Sequence, residues 1–212
     1  MTVTYPITMP TTPAPNNTAI RLRSATAFAQ SPFTFKQQTH AHSGQMWMLD
    51  VSLPRMKRAT AAPWTAFFTQ LRGRHGTFYM GDWDARTPQG SAAGTPITNS
   101  DGSPSVNLAG QRTLYTTGWD ALVVDILKAG DYIQFNDGTQ QRMHIVVNDA
   151  SSDSNGDAAF DIEPALRLDV TNLTAITTSN AQGVFRLTAN DPGWQSDAVG
   201  LYSFSFQAME AL

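Results

Sequence analysis

Three groups of side chains in this sequence have the types and spacing that chemistry would need. The first group surrounds Gly156 with oxygen-bearing side chains, which suggests a calcium loop: Asp149, Asp153, Asn155 and Asp157. A calcium-binding loop with Gly156 at its sixth position would need acidic ligands at Ser151 and Ile162. Neither residue is acidic, so the preferred interpretation is a solvated hairpin turn.

The second group is the histidines. His40 and His42 lie two residues apart, on one face of an extended segment, and could be joined at a metal by His75 or His144. No acidic or cysteine partner stands at ligand spacing, and the chain contains no cysteine at all. The sequence therefore predicts no metal site and no disulfide.

The third group is Asp82 and Asp84 on either side of Trp83, which resembles a carboxylate pair with a sugar-stacking ring. These residues follow a predicted strand, so a turn is the preferred interpretation. The chain has no nucleophile elbow, phosphate-binding loop or dinucleotide fingerprint. We therefore expect no catalytic residue, no cofactor and no enzymatic activity.

Composition narrows the class of protein further. Charged residues make up 15% of the chain and the net charge is −3, so a nucleic-acid footprint is not supported. No apolar run approaches the ~20 residues that a membrane-spanning helix needs. Met1–Asn17 is rich in Thr and Pro, does not resemble a signal peptide, and is predicted to become ordered only against a neighbouring subunit. Low charge favours an assembled subunit over a free enzyme.

The elements that could position such residues centre on one strand and one helix. Gln45–Leu53 alternates, which predicts a strand with Trp47 and Leu49 on its apolar face. Its opposite face carries the candidate interface residues: Met46, Met48 and Asp50. A helix capped by Thr60 is predicted to bury one stripe and to end at Arg72 and Gly73. The stripe consists of Trp64, Phe67, Phe68 and Leu71.

The remaining sequence predicts short strands and one long linker. Ser31–Lys36 is predicted as a strand and Gln37–Gly44 as a polar turn, while the Gly- and Pro-rich run 81–110 is predicted to be a linker. Leu201–Met209 has an aromatic face and is expected to pair with the first sheet. Further short strands are predicted in a dense β region: Leu122–Ile126, Tyr132–Phe135, Arg142–Val147, Ala158–Glu163 and Leu173–Thr178.

The predicted fold is mainly β. We expect a β-sandwich with one α-helix, built from residues 1–104 and 181–212, and an inserted small antiparallel β-barrel or sandwich module over 105–180.

Several short motifs then resemble, in order, those of tail proteins of long-tailed, siphovirus-type bacteriophages. They cover nearly all of residues 30–210: Ser43-Gly44-Gln45-Met46-Trp47, Val51-Ser52-Leu53-Pro54-Arg55-Met56, Leu71-Arg72-Gly73-Arg74, Gly76-Thr77-Phe78, Gly81-Asp82, Gly118-Trp119, Leu127-Lys128-Ala129-Gly130-Asp131-Tyr132-Ile133-Gln134, Ile162-Glu163-Pro164-Ala165-Leu166-Arg167, Gly183-Val184-Phe185-Arg186-Leu187 and the closing Met209-Glu210.

The resemblance implies a distal tail protein, a structural virion protein assembled into the viral tail in the host cytoplasm. Such proteins form a hexameric ring between the tail tube protein and the tail-tip hub protein. It also implies that the 105–180 module points outward, where it could meet a host-surface glycan or a side fibre. The alternative function is a carbohydrate-binding β module for host attachment, with Trp119 and Trp194 as exposed aromatics.

Overall fold

The computed structural model describes residues 3–99, 107–138 and 140–212. It consists of two β-sheets and one helix, with about 45% of residues in strands and 7% in the helix. In chain order the elements are β1 (Ile7–Thr8), β2 (Asn17–Gln30), β3 (Gln37–Ser52), β4 (Met56–Lys57), α1 (Arg58–Leu71), β5 (Phe78–Met80), β6 (Gly94–Thr98), β7 (Thr113–Trp119), β8 (Tyr132–Asp137), β9 (Gln140–Val146), β10 (Ala158–Glu163), β11 (Gly183–Leu187), β12 (Trp194–Ser196) and β13 (Leu201–Glu210). The predicted fold class, a β-sandwich with one helix and a small barrel-like module, is confirmed.

The first sheet has eight strands, in the order β1-β5-β11-β13-β3-β2, with β4 and β12 also paired to β13. Only the short β1–β5 pair is parallel among these pairings. Strand β13 pairs with β3 from Ser205 opposite Ser52 to Met209 opposite Met48. The expectation that the aromatic strand returns to the first sheet is therefore confirmed.

Helix α1 covers part of one face of this sheet. Its predicted apolar stripe is buried, as are Trp47, Leu49 and Val51 on the facing strand. The Phe68 ring stacks on Phe204, with 5.8 Å between the ring centroids. Full burial of one large apolar side chain contributes about 1.5–3 kcal/mol, so the several buried rings of this layer stabilise the first sheet.

The helix ends are partly as predicted. The helix begins at Arg58 and Lys57 occupies the N-cap without a side-chain hydrogen bond, so the predicted Thr60 cap is wrong. Thr60 already lies in the first helical turn, where a hydroxyl cannot act as the N-cap. The C-terminal prediction is confirmed, because Arg72 and Gly73 both take left-handed backbone angles (φ 51° and 66°).

The second sheet has five antiparallel strands in the order β6-β7-β10-β9-β8. Strand β6 lies within the predicted linker and belongs to this sheet, although residues up to 104 were assigned to the first domain. The boundary at 104/105 itself falls outside the described residues, and the division into two domains stays a prediction. The predicted hairpin turn at Asn136–Gly138 does join β8 to β9.

Two further predictions about local structure are wrong. Leu122–Ile126 forms turns rather than a strand, because its backbone N–H groups bond to residues 151–153 of another loop. The N-terminal arm packs on its own chain: Met9 is buried in the first core, and Tyr5 donates a 2.6 Å hydrogen bond to the carbonyl of Gln70. Aromatic and methionine side chains in the arm thus find a surface without a neighbouring subunit.

The two sheets share a packed contact. Met143 of β9 is buried within the first core, where Tyr132 and Ile145 also pack. The second core lies on other residues of the same strands, including Ile133 and Val146. The β8–β9 hairpin therefore contributes side chains to both cores.

Candidate functional site

The most distinctive feature of the molecule is a long hairpin formed by β2 and β3. The two strands pair from Asn17 opposite Ser52 to Gln30 opposite Gln37. Within residues 23–44 every residue is exposed except Ser31, so this part of the hairpin is open on both faces. Six residues of strand beyond Ser24 extend it by about 20 Å at ~3.4 Å per residue.

The turn of the hairpin holds two phenylalanines outward. Ser31 accepts backbone hydrogen bonds from Phe33 and Thr34 on its hydroxyl, and its own N–H donates to the Lys36 carbonyl at 3.0 Å. Phe33 is 91% exposed and Phe35 is 71% exposed. Phe35 also has a positive φ of 54°, which is unusual for a bulky residue and points to a constrained turn. Here Ser31–Lys36, predicted as a strand, is the turn, and Gln37–Gly44, predicted as a turn, is a strand.

Both long edges of the projecting part are open. In the described part of the chain, β2 is the last strand of its sheet, and β13 pairs with β3 only between Met48 and Ser52. An isolated two-stranded hairpin is marginally stable in water, and open edges tend to pair with other strands. The hairpin is therefore an element that a neighbouring strand would complete.

The charged side chains in the part of the hairpin between Asn17 and Gly44 are all basic. Between Asn17 and Gly44 the sequence has no Asp or Glu but contains Arg21, Arg23 and Lys36. His40 and His42 contact each other edge to face, with 4.7 Å between ring centroids. The surface is basic and carries exposed aromatic rings at its tip.

The root of the hairpin is fixed by the second sheet. Gln45 accepts a 2.7 Å hydrogen bond on its backbone oxygen from Arg167, and its side-chain oxygen accepts from Arg112 and from the Ala165 N–H, both at 3.3 Å. Trp47 donates from its indole to the Met143 carbonyl at 2.9 Å. These bonds set the direction in which β3 leaves the core.

A buried carboxylate lies beside this root. Glu210 accepts hydrogen bonds from Arg167 at 2.6 Å, from the Trp47 N–H at 3.1 Å and from Arg142 at 3.4 Å. Its side chain is 3% exposed, so the two guanidinium groups compensate a charge that water cannot reach. Burial lowers the pKa of Arg167, and the nearby carboxylate of Glu210 raises it.

His144 is buried behind the same cluster. Its ring stacks on Phe135 at 4.7 Å and its Nδ1 lies 2.8 Å from the Pro164 carbonyl, which a neutral ring satisfies as a donor. Burial lowers the pKa of His144 to about 4, against a raising effect of the Pro164 carbonyl, and the positive Arg167 and Arg142 lower it further. The ring is therefore neutral near pH 7.

Sequence reasoning missed this cluster. Along the chain, Arg142 and Arg167 are 25 residues apart, and Arg167 and Glu210 are 43 residues apart. The only signal in the sequence was Glu210, the single charged residue of the strand Leu201–Glu210.

The candidate interface residues lie on the face of the first sheet opposite α1. Met46, Met48 and Asp50 are each half-buried, and Met209 lies directly opposite Met48 on β13. Asp50 forms an ion pair with the exposed Arg21. The structure places all three on one surface of β3, and their role in an interface stays a prediction.

The structure does not bring the three groups of candidate catalytic or metal-binding residues together into one site. The His40–His42 pair lies on the hairpin, His75 contacts Tyr5, and His144 is buried elsewhere. Among residues 3–99, 107–138 and 140–212 there is no cluster of three or more His, Asp or Glu side chains that could hold a metal.

Asp153 and Asp82, which belong to the other two groups of candidate residues, have local structural roles. Asp153 accepts hydrogen bonds from the N–H groups of Asn155 and Asp157, and these bonds lower the pKa of its carboxyl. Asp82 accepts from the Asp84 N–H at 3.0 Å, as expected of a turn. Arg86 lies 3.9 Å from the Trp83 ring centre and covers one face of the ring.

Comparisons with known proteins add no identification. No family model matches the chain, and no curated protein matches it. In the described ranges no helix is long and apolar enough to span a bilayer.

Proposed function

We propose that this chain is a structural subunit that assembles with copies of itself into a closed ring. The observation that supports it is the β2–β3 hairpin, which is open on both faces and along both edges. Such an element lowers its free energy when neighbouring strands pair with it and cover its backbone groups. Copies of the same chain are the most direct source of those strands.

The direction of the two strands suits a ring. In a row of identical hairpins, β3 of one copy lies antiparallel to β2 of the next copy, so the ladder can continue from subunit to subunit. A contact between two different surfaces of one chain is heterologous, and it gives a closed ring when the rotation between neighbours closes. Full closure also removes every open edge.

The resemblance supports a specific setting for the ring. We place it in the tail of a long-tailed bacteriophage, as the distal tail ring between tail tube and tail-tip hub, with six copies. The chain would then be a virion protein assembled in the host cytoplasm, with no catalytic role. Its direct partners would be its own copies, the tail tube protein and the hub protein.

The decisive experiment measures the copy number with and without the hairpin. The purified chain is expected to form a closed ring of uniform mass in solution, visible as such in electron micrographs. A variant with residues 25–43 replaced by Asn-Gly, which favours a tight hairpin turn, is expected to remain folded and monomeric.

The matched control is Val199→Ser, at an exposed apolar residue far from the hairpin in the sequence, and it should form the wild-type ring. A folded wild-type chain that stays monomeric, or a hairpin-deleted variant that still forms rings, would contradict the proposal.

Of the two tryptophans on which the carbohydrate-binding alternative depends, one is exposed. Trp194 is 43% exposed, whereas Trp119 is 5% exposed and belongs to the second core. The prediction that Trp119 is exposed is therefore wrong, because its ring packs on Phe160. A glycan array with wild type and Trp194→Ala tests the alternative: specific binding lost in the variant would favour it.

A further inference from the structure

A second exposed apolar surface lies on the loops that connect strands of the second sheet. Leu122 is 73% exposed and Val124 is 75% exposed. Their loop is bonded to a neighbouring one: the Leu122 N–H donates to the Asp153 carbonyl at 2.9 Å, and the Asp125 N–H donates to the Ser151 hydroxyl at 3.1 Å. We call these two segments, 120–128 and 149–157, the acidic loop pair.

The conformation of this surface is fixed in advance. Leu122 has a positive φ of 58°, which is unfavourable for a non-glycine residue and persists only where the surroundings impose it. The Val123 N–H donates to Ser152 at 2.9 Å, and the Ser152 N–H returns a 3.0 Å bond to the Val123 carbonyl. Leu122 and Val124 thus form an apolar pair that is held outward among polar loop residues, where a partner could cover it.

The charges around this pair are almost all negative. The acidic loop pair contains five aspartates and a single cation, Lys128, which lies 3.2 Å from Asp125. The aspartates are Asp120, Asp125, Asp149, Asp153 and Asp157. The part of the hairpin between Asn17 and Gly44 has the opposite character, with no acidic residue and exposed Phe33 and Phe35. Of its cations, Arg23 and Lys36 are free of the ion pair that Arg21 forms with Asp50.

From this complementarity we propose that the tip of the hairpin of one copy docks on the acidic loop pair of a second copy. Phe33 and Phe35 would contact Leu122 and Val124, and Lys36 beside them would face the aspartates. Arg23 lies nearer the root of the hairpin and adds to its positive potential, whereas Arg21 is paired with Asp50. This inference rests on the proposed function, and it specifies which surface of the neighbour receives the hairpin tip. Complementary charge selects the correct partner and raises the rate of encounter.

A second copy fits these observations better than an anionic membrane does. A membrane would account for the basic aromatic tip, but it would leave the rigid apolar pair and its aspartates without a partner. The acidic loops would also be repelled from a negative lipid surface.

The test uses charge reversal on each side. Arg23→Glu with Lys36→Glu changes the hairpin, and Asp120→Lys with Asp157→Lys changes the loops without removing the Asp149 or Asp153 side chains, which bond to backbone. Each double variant is expected to self-associate about tenfold more weakly or worse by sedimentation, because the electrostatic attraction between the two surfaces becomes repulsion. The effect should diminish at high salt.

The chain carrying all four reversals gives the sharpest result. It is expected to self-associate like wild type and to exclude wild-type chains from its assemblies, because both mixed contacts are repulsive. Phe33→Ser with Phe35→Asn should weaken assembly as Leu122→Asn with Val124→Ser does, since Asn tolerates the positive φ.

Four outcomes would overturn the inference. Assembly unaffected by either double reversal, or a folded fourfold variant that stays monomeric, would overturn the docking while leaving the ring intact. Sedimentation of the chain with vesicles containing phosphatidylglycerol, lost in Phe33→Ser with Phe35→Asn when self-association is unchanged, would assign the tip to a membrane. A wild-type chain that never associates would overturn this inference and the proposed function together.

Discussion

The indole of Trp47 and the backbone carbonyl of Met143 are joined by a 2.9 Å hydrogen bond that connects the two sheets. Trp47 is 4% exposed and Met143 is 1% exposed, so neither group can exchange its partner for water. The same tryptophan donates its backbone N–H to Glu210. One residue of β3 thus fixes both the second sheet and the buried carboxylate.

Trp47→Phe should destabilise the chain by about 1–3 kcal/mol, because it leaves a buried carbonyl without its donor and a small void beside Tyr132. Denaturant unfolding measures the change. Trp194→Phe, at an exposed ring, is the control and should change the free energy of unfolding by less than about 0.5 kcal/mol. Equal effects of the two substitutions would contradict the assigned role of the bond.

Glu210→Gln should cost about 3–5 kcal/mol, because it leaves the buried Arg142 and the half-buried Arg167 beside a neutral amide. Asp50→Asn is the matched control, since it breaks an ion pair whose Arg21 side chain is 62% exposed. That change should cost less than about 1 kcal/mol. A comparable loss in both variants by thermal unfolding would show that burial of the pair does not decide its energy.

Stability should fall as the pH is lowered from 7 to 4. The pKa of His144 is lowered to about 4 in the folded chain, so between pH 6.5 and 4 the unfolded state binds the proton and the folded state does not. At pH 5 this lowers the free energy of unfolding by about 2 kcal/mol relative to pH 7. His144→Gln should flatten the profile, whereas His75→Gln, at an exposed site, should not.

Two glycines with nearly the same φ should respond differently to substitution by alanine. Gly156 has φ 79° and a Cβ there would lie 2.2 Å from the Trp119 carbonyl oxygen, whereas Gly200 has φ 77° and no atom within 4 Å. Gly200→Ala should cost about 1–2 kcal/mol through backbone strain alone. Gly156→Ala should cost at least about 1 kcal/mol more, and equal costs would contradict the steric argument.

Replacing residues 105–180 with a short Gly/Ser linker should destabilise what remains. The sequence alone predicts a module that can be removed without effect on the ring. The contacts predict otherwise, since Glu210 would lose both arginine partners and the first core would lose Met143. A melting temperature equal to that of the full chain would support the predicted division into domains.

The spacing of apolar residues, every second position in the strand and every third or fourth in the helix, made both central elements predictable. Trp47 and Leu49 are buried because one face of β3 meets α1 and the second sheet, and that burial requires apolar residues at every second position. The projecting half of the same strand, Gln37–Gly44, was not predicted as a strand because it lacks this alternation. Both of its faces are exposed, so its sequence has no reason to alternate.

Pairing between distant segments was less accessible. The apolar run in Leu122–Ile126 resembles a buried strand, yet side chains and backbone at Ser151, Ser152 and Asp153 take its N–H groups and hold it as a loop. The Glu210 cluster likewise depends on a three-dimensional arrangement of residues from three strands and loops. Local sequence reports on local burial, and neither feature is local.

Strand β13 lies in the middle of the first sheet, with β3 on one side and β11 on the other. Its partner residues on β3, Met48 to Ser52, precede it by roughly 155 positions, and all five strands of the second sheet are synthesised in between. Such a high contact order predicts slow closure of the first sheet. During translation the hairpin would therefore exist well before the sheet that anchors it, and the second sheet could fold first. The subunit would then gain a correctly directed hairpin only in its last folding step, which would delay self-association until the chain is otherwise complete.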